Sequence, residues 1–177
     1  MANSISILPL VLSLVLLNTV VPMGALSQND AVAMICPKTR NPGFCTYVLK
    51  STGSATDLVG LGRFTLNLAH ARAGESRALA RSLAAKTADP KLRERYASCS
   101  DSYNDAVSNI EDATRYLASG DYNGVNVEAS AAMTNADDCE GNFTAPRPES
   151  ELTKNSKTLE DICSIILVIS NLLLGRV

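Results

Sequence analysis

Tryptophan is absent, and three phenylalanines and five tyrosines are the whole aromatic complement of 177 residues. The core must therefore come from Ala, Leu, Ile and Val packed at regular spacing. There is one histidine, His70. It lies between Ala69 and Ala71, with no serine or cysteine arrangement nearby that could use it as a base, which argues against an enzyme. Gly60-Leu61-Gly62 lacks the third glycine of a dinucleotide loop and follows no strand, so it reads as small residues that let helices approach. No basic stripe is visible in a chain of net charge −2, so nucleic acid is not expected as a partner. Asp137, Asp138 and Glu140 surround Cys139, but acids at neighbouring helix positions point in different directions. They read as a solvated surface rather than a metal site, and neither metal nor cofactor is expected. After the first 27 residues no segment has the period-two alternation of a strand.

The first 27 residues also lack charge altogether. They hold an apolar run from Ile5 to Val21, with Ala25 and Ser27 at the minus three and minus one positions of a small-residue cleavage site. This predicts a signal peptide over 1–27, without the usual positive n-region, and a mature chain beginning near Gln28. An uncleaved membrane anchor would have a similar length, but the cleavage site favours secretion and no membrane attachment afterwards. Secretion sets an oxidising compartment, so the five cysteines, all in the mature part, are expected to pair. One must be left over, and of fifteen possible arrangements spacing has to decide.

The most informative stretch is Asp89 to Gly120. Leu92, Tyr96, Cys99, Tyr103, Ala106, Ile110, Ala113 and Leu117 alternate steps of four and three, a sustained helical seam. After a Ser119-Gly120-Asp121 break, Val125, Ala129, Ala132, Ala136, Cys139 and Phe143 continue the same alternation. Cys99 lies twenty-one residues before Gly120 and Cys139 nineteen after it. Folding the two helices back on each other puts the thiols level, within the roughly 7 Å that a bridge requires. Cys36 and Cys45 bracket Pro37-Lys38-Thr39-Arg40-Asn41-Pro42-Gly43-Phe44, a turn-rich loop that a second disulfide can close. Cys163, in the nearly all-apolar stretch Ile162 to Leu174, has no partner at a matching spacing and is expected as a buried free thiol.

Taken in order, Gln28 to Ile35 reads as a short helix with Ala31, Val32 and Ile35 on its apolar side. Phe44 to Leu49 returns from the loop as a second. Ser54-Ala55-Thr56-Asp57 resembles a helix entrance. A long helix follows with Leu58, Leu61, Phe64, Leu68 and Ala71 on its face, resumed by Ala78, Leu79 and Leu83 beyond Gly74. Asp89-Pro90 caps the next. Asn142-Phe143-Thr144 is a glycosylation sequon, expected to carry glycan on Asn142. Pro148-Glu149-Ser150-Glu151 opens a last helix striped by Leu152, Leu159, Ile162, Ile166, Ile169 and Leu173 and closed by Gly175. The expected fold is all-α: an antiparallel up-and-down four-helix bundle over 54–177, preceded by a helical hairpin over 28–53. Off the seams, Asp101, Asp105, Glu111, Asp112, Asp138 and Glu140 are solvated by default. The alternative is that the two stapled helices present them as a fixed patch to a protein partner. A bundle that carries small apolar ligands is a competing class, but it needs a cavity that alanine-rich seams would fill.

The cysteine frame, together with Ile35-Cys36-Pro37-Lys38-Thr39-Arg40-Asn41-Pro42, Asp89-Pro90-Lys91-Leu92, Ser119-Gly120-Asp121-Tyr122, Ala129-Ser130-Ala131-Ala132 and Leu167-Val168-Ile169-Ser170-Asn171-Leu172-Leu173, resembles the plant invertase and pectin methylesterase inhibitors over the whole mature chain. The resemblance implies a stoichiometric inhibitor in the cell wall. Invertase inhibitors of the family commonly carry a Pro-Lys-Phe segment after the turn, where this chain reads Gly120-Asp121-Tyr122-Asn123-Gly124-Val125-Asn126. The likeness therefore favours pectin methylesterase as partner, with invertase second. It implies that the bundle covers the enzyme's pectin-binding cleft, with Asp101, Tyr103 and Asp105 at second-helix contact positions. Asp138 stands where the family usually has threonine, and Gly141 where it often has an acid. Carboxylates on such a surface would make binding sensitive to pH.

Overall fold

The computed structural model describes residues 27–53, 57–143 and 150–176. Residues 1–26 of the leader, Ser54–Thr56 and Pro148–Glu149 of the two expected helix entrances, and Thr144 of the sequon lie outside the described residues. Among those described, the order is α1 (Gln28–Ile35), a single 3-10 turn (Cys36–Lys38), α2 (Pro42–Lys50), α3 (Leu58–Lys86), α4 (Pro90–Ser119), α5 (Tyr122–Gly141) and α6 (Glu151–Leu173). Each long helix packs on its chain neighbours, and α6 closes the ring against α3. This is the antiparallel four-helix bundle, with α3 and α5 on opposite corners.

Polar caps set the helix starts. Asp57 accepts from the Gly60 N–H, Asp89 from the Lys91 and Leu92 N–H groups, Asp121 from Gly124, and Ser150 from Thr153. Each side chain satisfies a donor that the first turn leaves open. The caps of α3 and α6 are thus Asp57 and Ser150, within the two expected entrances but later than their first residues. Gly120 ends α4 at φ 77°, and Gly175 closes α6 at φ 67° with its N–H on the Leu172 carbonyl. These left-handed positions suit a residue without Cβ.

The core is small side chains against large ones. Ala69, Ala73 and Ala80 of α3, Ala106 and Ala113 of α4, and Ala129, Ala132 and Ala136 of α5 are buried around Leu152, Leu159, Ile162 and Ile166 of α6. The seams of α4 and α5 run as their spacing predicts, from Cys99 to Leu117 and from Val125 to Cys139. The expected face of α3 does so only in part, with Leu61 buried and Leu79 and Leu83 packed against the core. Its buried row is Leu61, Thr65, Leu66, Ala69, Ala73, Ser76 and Ala80, whereas Ala71 and Ala78 are exposed. Thr65 and Ser76 can line the core because their hydroxyls donate to the Leu61 and Arg72 carbonyls one turn back. Leu58, Phe64 and Leu68 turn toward a second cluster under the hairpin.

That second cluster explains why α6 carries no charge from Ile162 onward, although its first half exposes Glu151, Lys154 and Lys157. Ile162 and Ile166 face the bundle, while Ile165, Val168 and Ile169 meet Ala31, Ile35, Val48 and Leu49 of the hairpin. A helix covered on most sides is apolar on most sides. Arg40 ties the hairpin down by pairing with Glu160 and Asp161 of α6, and its N–H donates to the Ser164 hydroxyl at 3.0 Å. Asn41 donates to Asp161 at 2.7 Å.

Candidate functional site

Helices α4 and α5 are joined twice, by the turn at Gly120 and by a disulfide. Cys99 and Cys139 are bridged with Cα atoms 4.5 Å apart across 40 residues of sequence. Cys36 and Cys45 are bridged within the hairpin at 5.4 Å. Cys163 is a buried free cysteine, its thiol pushed up to about 12 by burial and then by the nearby Glu160 charge. A thiol so held is protonated at any physiological pH and is neither a nucleophile nor a ligand.

From just beyond the disulfide to the turn, the outer edge of the α4/α5 contact is a ladder of polar rungs. Asn142, at the end of α5, donates its Nδ2 to Ser98 Oγ of α4 at 3.1 Å. Asn135 donates to Asn109 Oδ1 at 2.9 Å, and Asn109 donates on to Glu128 Oε2 at 2.7 Å. Nearest the turn, the Tyr116 ring lies on Gly124, where a Cβ would come within 2.6 Å of the ring. The polar positions of α5 are seven apart, as are Asn109 and Tyr116 of α4. Two turns separate them, so they recur on one side of each helix. The spacing is present in the sequence, where Asn and Glu beside an apolar seam read as solvated side chains.

Exposed carboxylates flank the ladder. At 100° per residue, Asp101, Asp105 and Ser108 fall on the side of α4 opposite its seam, and all three are exposed. Asp138 is exposed on α5 with Val127 and Thr134. The structure thus brings Asp101, Asp105 and Asp138 to the outside of one disulfide-clamped helix pair. Tyr103 is the correction. It is 0% exposed, with its hydroxyl against Ser156 Oγ of α6, so it is a core residue and cannot face a partner. The seam position decided its fate, since the a/d side of a bundle helix points inward. Asp137 and Glu140 diverge from Asp138: Asp137 borders the α5/α6 groove, and Glu140 accepts from Ser156 at 3.1 Å.

A second patterned surface was missed from the sequence. On α3, Arg63, Asn67, His70, Gly74, Arg77 and Arg81 are spaced four, three, four, three, four, a polar seam along the α3/α4 groove. His70 Nε2 lies 3.2 Å from Glu111 Oε1, and Arg77 donates to Asn104 Oδ1 at 3.0 Å. The absence of a basic stripe inferred from net charge therefore needs amending, because charges scattered over nineteen residues converge on one helix side.

No group of three His, Cys, Asp or Glu side chains that could hold a metal occurs among the described residues, and no described helix is long and apolar enough to cross a membrane. Residues 30–169 match the family model described as plant invertase/pectin methylesterase inhibitor. The chain is 43% identical over 152 residues to a pectinesterase inhibitor of Actinidia deliciosa, covering 84% of this chain and 82% of that one. It is 38% identical over 146 residues to pectinesterase inhibitor 1 of Arabidopsis thaliana, covering 82% and 83%. A crystal structure of a mutant pectin methylesterase inhibitor from Arabidopsis superposes with a TM-score of 0.74 at 38% identity, covering 79% of this chain and 95% of that one. With its helical bundle, hairpin and two bridges, this chain belongs to the plant invertase/pectin methylesterase inhibitor family.

Proposed function

We propose that this chain is a secreted protein inhibitor of plant pectin methylesterase, with no catalytic activity of its own. It docks stoichiometrically through the α4/α5 face and blocks the polymer's access to the enzyme's cleft. The geometric observation that carries the reading is the clamped acidic face: Asp101, Asp105 and Asp138 stand on two helices that the Cys99–Cys139 bridge fixes relative to each other. A face fixed before binding loses little conformational freedom on docking. The target comes from relatives named pectinesterase inhibitor, 36–43% identical over more than 80% of the chain. The turn sequence Gly120-Asp121-Tyr122-Asn123-Gly124, without a Pro-Lys-Phe segment, favours the same target over invertase, which the family also covers.

Titrating a plant pectin methylesterase with the purified mature chain tests this. Activity should fall along a straight line to an equivalence point, and a parallel titration of invertase should leave that enzyme active. Full esterase activity at large molar excess would overturn the reading, and loss of invertase activity alone would transfer it to the other target. The extracellular part of the proposal is separate. N-terminal sequencing of the secreted product should begin near Gln28, and glycosidase treatment should lower its mass by one glycan at Asn142.

A further inference from the structure

The four long helices divide the charge unequally. Helix α3 carries five Lys and Arg against the single acid Glu75, whereas α5 carries Glu128, Asp137, Asp138 and Glu140 and no base. These helices occupy opposite corners of the bundle, so the molecule is acidic along one edge and basic along the other despite its net charge of −2. Along the basic edge, Arg63, Arg77 and Arg81 have no acidic partner at ion-pair distance among the described residues. Eighteen residues of helix put Arg63 and Arg81 about 27 Å apart on one side. Beside them the α3/α4 groove opens into two shallow depressions. One, of about 400 Å³, is bordered by Asn67, His70, Glu111, Thr114 and Arg115, and the other, of about 270 Å³, by Arg81, Ser100 and Asp101.

We infer that this row, Arg63-Asn67-His70-Arg77-Arg81, is a binding track for a linear polyuronate, the carboxylate-bearing polymer that a pectin methylesterase leaves behind. Guanidinium forks pair with planar carboxylates through two parallel hydrogen bonds. The amide of Asn67 and the hydroxyls of Thr114 and Ser100 are donors and acceptors suited to the sugar hydroxyls between the charges. A methyl-esterified polymer offers no charge to the arginines, so the track distinguishes product from substrate. Nucleic acid fits worse, because no aromatic side chain among the described residues lies along the row to stack a base. Asp101 borders the second depression, whereas Asp105 and Asp138 line neither, so one molecule can hold the polymer against α3 while the Asp105 and Asp138 side of α4/α5 faces an enzyme. The choice of polymer rests on the proposed inhibitor function, and the track itself rests on the row of charges alone.

The test is binding of the full mature chain to immobilised polygalacturonate, to its fully methyl-esterified form, and to single-stranded DNA, at low and raised salt. Binding to polygalacturonate should weaken steeply with salt and be at least about tenfold tighter than to the other two polymers. The combined substitution Arg63→Gln, Arg77→Gln and Arg81→Gln should cost at least about tenfold, while each single substitution should cost a few-fold in a graded series. The combined variant should still inhibit the esterase, which shows it folded. No binding to polygalacturonate at low salt, equal binding to the methyl ester, preference for DNA, or an unchanged affinity in the arginine variants would each overturn the inference. If inhibition is found without polymer binding, only the track fails. If polymer binding is found without inhibition, only the proposed function fails.

Discussion

Tyr103 shows how a single position can carry two incompatible readings. Its spacing from Cys99 and Ala106 puts it on the seam, while likeness to the inhibitor family puts it among the enzyme contacts, and its complete burial decides for the seam. Replacing Tyr103 by Phe should remove the contact with Ser156 and lower stability by about 1 kcal/mol in a denaturant titration. Esterase inhibition by the folded variant should be unchanged. A variant as stable as the parent but weaker as an inhibitor would return Tyr103 to the interface. Cys163 yields a prediction with a definite sign. In the folded chain its pKa stands near 12 rather than 9.0, so between those values the unfolded chain loses the proton first. Stability should therefore fall as pH rises above 9, by up to about 1.4 kcal/mol per pH unit. Cys163→Ser should flatten that alkaline slope, and native protein at neutral pH should not react with thiol reagents until unfolded. A slope identical in the serine variant would show that other groups cause it.

Legibility differs most at the level of helices. The seams of α4 and α5 could be read residue by residue because each has only one buried side, and Ala, Ile and Leu mark it without competition. Helix α3 could not, because it serves two apolar clusters at once. Phe64 packs under the hairpin and Leu68 touches both clusters, whereas the bundle side takes Leu66, Thr65, Ser76 and alanines. Hydrophobicity thus marks two sides of the helix at once, with Leu61 and Phe64 at the hairpin and Leu79 and Leu83 on the bundle, while the α4/α5 ladder is not legible because Asn and Glu default to solvent. The reversal between α4 and α5 holds two testable constraints. The Cys99–Cys139 bridge spans 40 residues, and removing it as a double serine variant should cost about 4 kcal/mol on a chain-entropy estimate. Opening the Cys36–Cys45 loop, separated by 9 residues, should cost roughly 2.5 kcal/mol. Loss in the opposite order would mean that the hairpin, not the helix pair, limits stability. Gly124→Ala would push a methyl into the Tyr116 ring and should destabilise by about 1–3 kcal/mol. Adding Tyr116→Ala should recover much of that, because the two sites share one contact. Strict additivity would refute the stacking account.

For the molecule as a whole, the arrangement of charge matters more than its sum. A net charge of −2 suggests a weakly charged sphere, but opposite corners of the bundle carry opposite signs, and a partner approaching the α4/α5 edge is nearer the acidic corner than the basic one. Exposed carboxylates at the edge of an interface act mainly on the rate of encounter, and salt screens them over roughly 10 Å at 0.1 M ionic strength. Association with the esterase should therefore slow as salt rises, while dissociation changes little. Replacing Asp101, Asp105 and Asp138 together by Asn should slow association severalfold at low salt, with the variant and the parent converging at high salt. Because all three side chains are exposed, the folded state should lose no more than about 0.5 kcal/mol per site. Stopped-flow measurement of inhibition at several salt concentrations separates the possibilities. Parallel salt dependences in parent and variant would mean that the enzyme approaches by another edge. A change confined to dissociation would mean that these carboxylates are buried on docking and make direct pairs in the complex, as opposed to steering the encounter from its rim.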